Sequence, residues 1–186
     1  YIISILSIFF LCVLFIKKYK KSPVNYNIAF GDSGVGGLIF AIDNYQKTIS
    51  YLHKTESQYY IKFNLYHIGD SANAPYGIKK PSEIKKLTNN FLDYMVNNLN
   101  SQIAIVACNT ASILFNIKYQ KEIKYKFPNS IINPIIKESI AELYNQGQII
   151  TNELGIKEIH LGILATKATI NSNIYEKYLK KIHHKI

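Results

Sequence analysis

From Asn27 onward, short apolar runs alternate with stretches whose apolar residues recur at helical spacing. Ile28-Ala29-Phe30 is a compact apolar run that breaks at Gly31-Asp32-Ser33-Gly34-Val35-Gly36-Gly37, and an apolar-periodic stretch follows from Leu38 to about Leu52. Tyr60 to Ile68 alternates and is rich in β-formers, which predicts a strand running into the turn-rich Gly69-Asp70-Ser71-Ala72-Asn73-Ala74-Pro75-Tyr76-Gly77. Pro81-Ser82-Glu83 opens a helix with Ser82 placed to cap it, and Ile84, Leu87, Phe91, Met95 and Leu99 mark its inner stripe. Ile103 to Ala107 reads as a strand and Thr110 to about Tyr119 as a helix. After Lys121 the pattern restarts: a strand over Ser130–Ile136, a helix over Glu138–Asn145, a strand over Ile159–Ala165 and a helix over Asn171–Lys181.

Strand and helix in alternation imply an α/β fold, a parallel sheet with helices packed on its faces. The Lys121–Asn129 stretch, which contains Pro128, is the expected boundary between units. The expected division is an apolar and basic segment at 1–24, a first α/β domain at 25–125 and an incomplete second α/β domain at 126–186. Ile2 to Ile16 is almost wholly apolar and Lys17-Lys18-Tyr19-Lys20-Lys21 follows. As a helix, that run spans about 22 Å, short of the roughly 30 Å hydrocarbon core. It lacks the charge-first order and small-residue cleavage site of a signal peptide. An apolar helix with membrane contact through residues 2–21 is one expectation, and translated upstream sequence is the other.

Composition narrows the function. Hydrophobic residues make up 48% and charged residues 18% of the 186, which suits a packed core rather than disorder. The net charge is +10, yet all 22 basic residues are lysine, spread along the chain. Arginine supplies the bidentate base contacts of nucleic-acid readers, so a lysine-solvated surface is the reading and no nucleic-acid partner is expected. Cys12 and Cys108 are the only cysteines and do not make a disulfide framework. No spacing of Cys, His and carboxylates suggests a metal, and no motif suggests a nucleotide or pyridoxal cofactor.

Three strand ends deliver polar loops: Asp32-Ser33 in the glycine-rich turn, Pro75-Tyr76-Gly77, and Cys108-Asn109-Thr110. In a parallel sheet these emerge at one edge, where open α/β sheets place ligands. The glycine-rich stretch is neither a Walker loop, a Gly-x-Gly-x-x-Gly fingerprint nor a Gly-x-Ser-x-Gly elbow. Its N–H groups can cradle a carboxylate or phosphate, and Asp32 can orient an ammonium group or assist a proton transfer. The plainer alternative is that Asp32 and Ser33 cap the following helix. Tyr76 and Gly77 can hold a small ligand or form an ordinary proline turn. Cys108 sits where a helix's positive end and free N–H groups favour thiolate, with Asn109 and Thr110 beside it to donate to a carboxylate; the alternative is a buried structural cysteine.

Taken together, Phe30 to Gly37, Gly69-Asp70 through Pro75-Tyr76-Gly77, Ala107-Cys108-Asn109-Thr110-Ala111-Ser112, and Leu161 to Ile170 through Ser172 and Tyr175 resemble glutamate racemase, within the aspartate/glutamate racemase superfamily. The resemblance implies cofactor-independent, two-base interconversion of L- and D-glutamate for peptidoglycan synthesis in a bacterial cytoplasm. One thiolate removes the α-proton and a second thiol returns a proton to the opposite face. It makes Cys108 one base, has Asp32 assist at that face, and gives Asp32, Ser33, Tyr76, Gly77, Asn109 and Thr110 to substrate binding. An α-proton is very weakly acidic, so such a base must be close, positioned and partly desolvated.

The second catalytic cysteine of that family, in a Cys-Thr-His motif, has no counterpart here, since no cysteine follows Cys108. The chain as written is therefore expected not to racemise. Other readings are a racemase of aspartate or another small acid, and a non-catalytic, membrane-tethered α/β module. A cysteine hydrolase would need a histidine base, and neither His67 nor His160 is an obvious partner.

Overall fold

The computed structural model describes residues 24–54 and 61–183. Four parallel strands form one sheet in the order β2-β1-β3-β4: β1 (Val24–Asp32), β2 (Ile61–Gly69), β3 (Ile103–Val106) and β4 (Ile131–Pro134). Parallel register runs from Val24 opposite Ile61 to Asp32 opposite Gly69, from Ile28 opposite Ile103, and from Ile103 opposite Ile131. The helices are α1 (Gly36–Lys54), α2 (Pro81–Asp93, continued by a wider π turn over Tyr94–Asn98), α3 (Asn109–Ser112), α4 (Ile117–Lys126), α5 (Ile136–Leu154), α6 (Lys167–Asn171) and α7 (Ile174–His183). The α/β architecture read from the sequence is the observed one.

Parallel sheets bury both faces, and successive residues of β1 and β3 divide accordingly. Ile28, Phe30, Ile103 and Ile105 pack with Ala41 of α1 on one side. Ala29, Ala104 and Val106 pack on the other against Ile84, Leu87, Phe91 and Met95 of the α2 region and Tyr119 and Ile123 of α4. This two-sided packing fixes the register, because a one-residue slip would exchange the faces. It also fixes where β1 and β3 end, and hence where Asp32 and Cys108 lie.

Within the described residues α4 occupies most of 121–129 and β4 joins the sheet beside β3. Four expectations change. Ser82 does not cap α2: Lys80 holds the cap position without a side-chain hydrogen bond, and Ser82 lies inside the helix. The helix foreseen over Thr110–Tyr119 is two helices, with α4 started by Asn116, whose side chain accepts the Tyr119 N–H at 2.9 Å. The helix foreseen over Asn171–Lys181 likewise breaks between α6 and α7, where Asn173 takes a positive φ of 51°. Ile159–Ala165 is not a strand. No strand pairs with it among the described residues; Ile159 lies against Gly147 of α5, and Leu161, Ile163 and Leu164 are exposed. The expected N-terminal helix and the membrane contact through residues 2–21 lie outside the described residues. Among the described residues no helix is long and apolar enough to cross a membrane.

Candidate active site

The three loops named from the sequence meet at the carboxyl edge of the sheet. The first two are joined by the Asp70 N–H, which donates to the Asp32 carbonyl at 2.9 Å, and β3 is tied in by the Ala107 N–H donating to the Gly31 carbonyl at 2.9 Å. The side chains follow: Ser33 Oγ lies 3.4 Å from Cys108 Sγ, a hydrogen-bonding distance for sulfur.

Asp32 is buried at the end of β1. Its Oδ1 accepts the Ser33 N–H at 2.7 Å and its Oδ2 accepts the Gly37 N–H at 2.6 Å. The carboxylate therefore does cap the first turn of α1, as the plainer reading held. Capping does not exhaust it: an ionised carboxylate offers about four lone-pair positions, and these two bonds leave room for a substrate donor. Gly37 has to be glycine here, since a Cβ would come 2.7 Å from the Asp32 Cβ.

Cys108 ends the β3 segment and starts α3, where its sulfur accepts the Ala111 N–H at 3.4 Å. It is buried and unbridged. Burial pushes its thiol above the ordinary range; the hydrogen bonds from Ser33 and Ala111 pull it down, and the negative charge of Asp32 pushes it up. The expectation that the helix's positive end and free N–H groups favour thiolate is thus corrected, because desolvation of the charged form outweighs the hydrogen bonds that favour it. The thiol should consequently alkylate more slowly with iodoacetamide at neutral pH than a free cysteine, with the rate still rising above pH 9; reaction as fast as a free thiol would contradict the buried geometry. The stability sign follows: a thiol held protonated by folding stabilises the fold fully below the unfolded value, and that contribution fades as pH rises toward the folded one.

Thr110 is buried, and its Oγ1 lies 3.0 Å from Thr166 Oγ1, which in turn lies 3.0 Å from Thr169 Oγ1 at the start of α6. Asn109 is exposed at the mouth. Tyr76 is fully buried, and its hydroxyl donates to Asp70 Oδ2 at 2.6 Å. Burial and the Asp70 carboxylate raise the phenol far above its usual value, and Cys108 and Asp32 act on it in the same sense. Tyr76 therefore stands as a neutral donor whose proton is already committed to Asp70, and it shares the core cluster of Cys108. Replacing Tyr76 by Phe leaves the partly exposed Asp70 without that donor and should cost about 1.5 kcal/mol, read as a lowered urea midpoint at unchanged slope.

Two participants were not assigned from sequence, Asp70 and Thr166. Both stand inside stretches that carried the resemblance, but only the fold shows Asp70 holding Tyr76 and Thr166 closing over Thr110 and Gly77. His67 Nε2 is buried without a hydrogen-bond partner near Gly37, and no histidine bonds the Cys108 sulfur among the described residues, so a Cys–His hydrolase pair is not formed. Among the described residues, no three His, Cys, Asp or Glu side chains gather as metal ligands.

No protein-family model matches the chain. A glutamate racemase of Clostridium botulinum (strain Kyoto / Type A2) is 39% identical over 123 residues, covering 66% of this chain and 42% of the relative. One of Clostridium acetobutylicum is 35% identical over 164 residues, covering 86% of this chain and 53% of the relative. Among solved structures, glutamate racemase from Campylobacter jejuni superposes with a TM-score of 0.60 at 26% identity, over 84% of this chain and 52% of that one. The Francisella tularensis enzyme in complex with D-glutamate superposes at 0.54 and 27% identity, over 87% and 49%. The chain spans about half the length of the curated relatives it matches.

Proposed function

We propose that this chain, related in sequence and fold to the glutamate racemases over about half their length, supplies the half of a glutamate racemase site that carries one of its two thiols. The observation that carries this reading is the 3.4 Å approach of Ser33 Oγ to Cys108 Sγ beside the Asp32 carboxylate, at the shared edge of β1 and β3. Glutamate would enter with its ammonium group toward Asp32 and its carboxylates toward the hydroxyls of Ser33 and Thr110, the side-chain amide of Asn109 and the backbone N–H groups of Tyr76 and Gly77.

The electrostatics give that placement a consequence. The Asp32 charge is one of the factors holding the Cys108 proton on. A substrate ammonium beside Asp32 offsets that charge and eases deprotonation of the thiol as the α-carbon arrives. The thiolate then takes the α-proton, Asp32 steadies the ammonium group, and return of a proton to the opposite face falls to a second thiol, which this sequence does not carry after Cys108. In a complete two-thiol site, the D-glutamate formed in this way would serve peptidoglycan synthesis in the cytoplasm.

One thiol working one face predicts exchange without inversion. In deuterated buffer, the purified chain should wash deuterium into the α-position of one glutamate enantiomer, followed by proton NMR, while chiral chromatography finds no racemisation. Aspartate, one methylene shorter, should exchange more slowly. Failure of both glutamate enantiomers to exchange would refute the reading for this polypeptide.

A further inference from the structure

A cavity of about 480 Å³, whose lining does not include Cys108, opens between the turn at Gly77, the start of α2, the α3–α4 corner and α6. Its volume lies within the range of small-molecule sites. Its charge is one-sided. Lys79, Lys85, Lys118 and Lys167 line it, and Glu122 is the only carboxylate that does. Lys85 is held by Glu122 at 2.6 Å and Lys79 by Glu83 at 2.8 Å, whereas Lys118 and Lys167 form no ion pair among the described residues. Like charges gathered around a concave, partly desolvated space repel one another and are relieved by a counter-ion.

We propose that this cavity binds a small polyanion, a molecule bearing phosphate or carboxylate groups. Lys118 of α4 and Lys167 of α6, both exposed and both lining the cavity, serve as primary contacts. Lys85 is recruited readily, because its pair with Glu122 is solvent-exposed and such pairs contribute little. The buried Tyr119 ring lies beneath Lys85, with the ammonium 5.0 Å above its centroid, and holds that charge at the cavity wall. Lys167 directly follows Thr166, whose hydroxyl meets Thr110, so an occupant would brace α6 against the candidate active site. This second site stands apart from the racemase reading and is measured by binding alone.

The test is calorimetric titration of the full chain with inorganic pyrophosphate and, separately, with citrate, at low and at physiological salt. Saturable binding of at least one probe is expected, weakening as salt rises; the tighter probe tells phosphate from carboxylate chemistry. The double variant Lys118→Gln/Lys167→Gln should lose about tenfold or more in affinity, while Lys62→Gln, on exposed β2, should bind as the parent does. Thermal melts of all three confirm folding. The proposal is overturned if neither probe saturates, if the double variant binds as the parent does, or if Lys62→Gln loses as much.

Discussion

Cys108→Ser will remove α-proton exchange. Proton transfer by a positioned side chain is worth about 10²–10⁴ in rate, and serine cannot stand in, because its hydroxyl is a far weaker acid than a thiol. The substitution is otherwise mild. Serine keeps an acceptor for the Ala111 N–H and stays within reach of Ser33 Oγ, so the start of α3 survives. Its chief structural cost is a slightly larger gap in the core shared with Val106, Ala111 and Phe115. A loss of exchange with an unchanged melting temperature would therefore locate the effect in chemistry. Exchange at the parental rate in Cys108→Ser would mean that the deprotonating group lies elsewhere.

The strands were legible where apolar runs met glycine. Ile28-Ala29-Phe30 broken by Gly31, and Tyr60–Ile68 broken by Gly69, became β1 and β2, and with them the edge that bears Asp32. Helix ends were harder to read. Ile113, Leu114 and Phe115 carry the apolar pattern across the α3–α4 break, and the stop signal there is one capping side chain, Asn116. The helix read as ending at Asn145 runs on through Gly147 to Leu154, where Gly155, with a φ of 64°, supplies the left-handed cap. The run at Ile159–Ala165 has strand composition, yet pairing is a tertiary fact that composition does not carry. At the site, the meeting of loops was legible because parallel strands share a direction. The protonation of Cys108 was not, because desolvation depends on how deeply the fold buries the sulfur.

The close seating of Thr166 beside Thr110 depends on Gly77, and Gly77→Ala should test it. A Cβ at this position would lie 2.4 Å from the Thr166 Cβ and 2.6 Å from its Cγ2. Neither is the tip of a flexible side chain, so the segment leading into α6 must withdraw. Withdrawal stretches the 3.0 Å Thr110–Thr166 contact and disturbs the Thr169 end of α6, which Thr166 caps. Overpacking of this kind costs about 1–3 kcal/mol, and a displacement of about an ångström at a positioned site can cost about 10²-fold in rate. Exchange should accordingly fall by about two orders of magnitude. Thr166→Ser in the same chain removes the methyl 2.6 Å from the intruding carbon, leaves the Cβ at 2.4 Å and keeps the hydroxyl that meets Thr110. Partial rescue by Gly77→Ala/Thr166→Ser would establish that the methyl carries part of the steric route; an equal loss in the single and double variants would show that the methyl carries none of it.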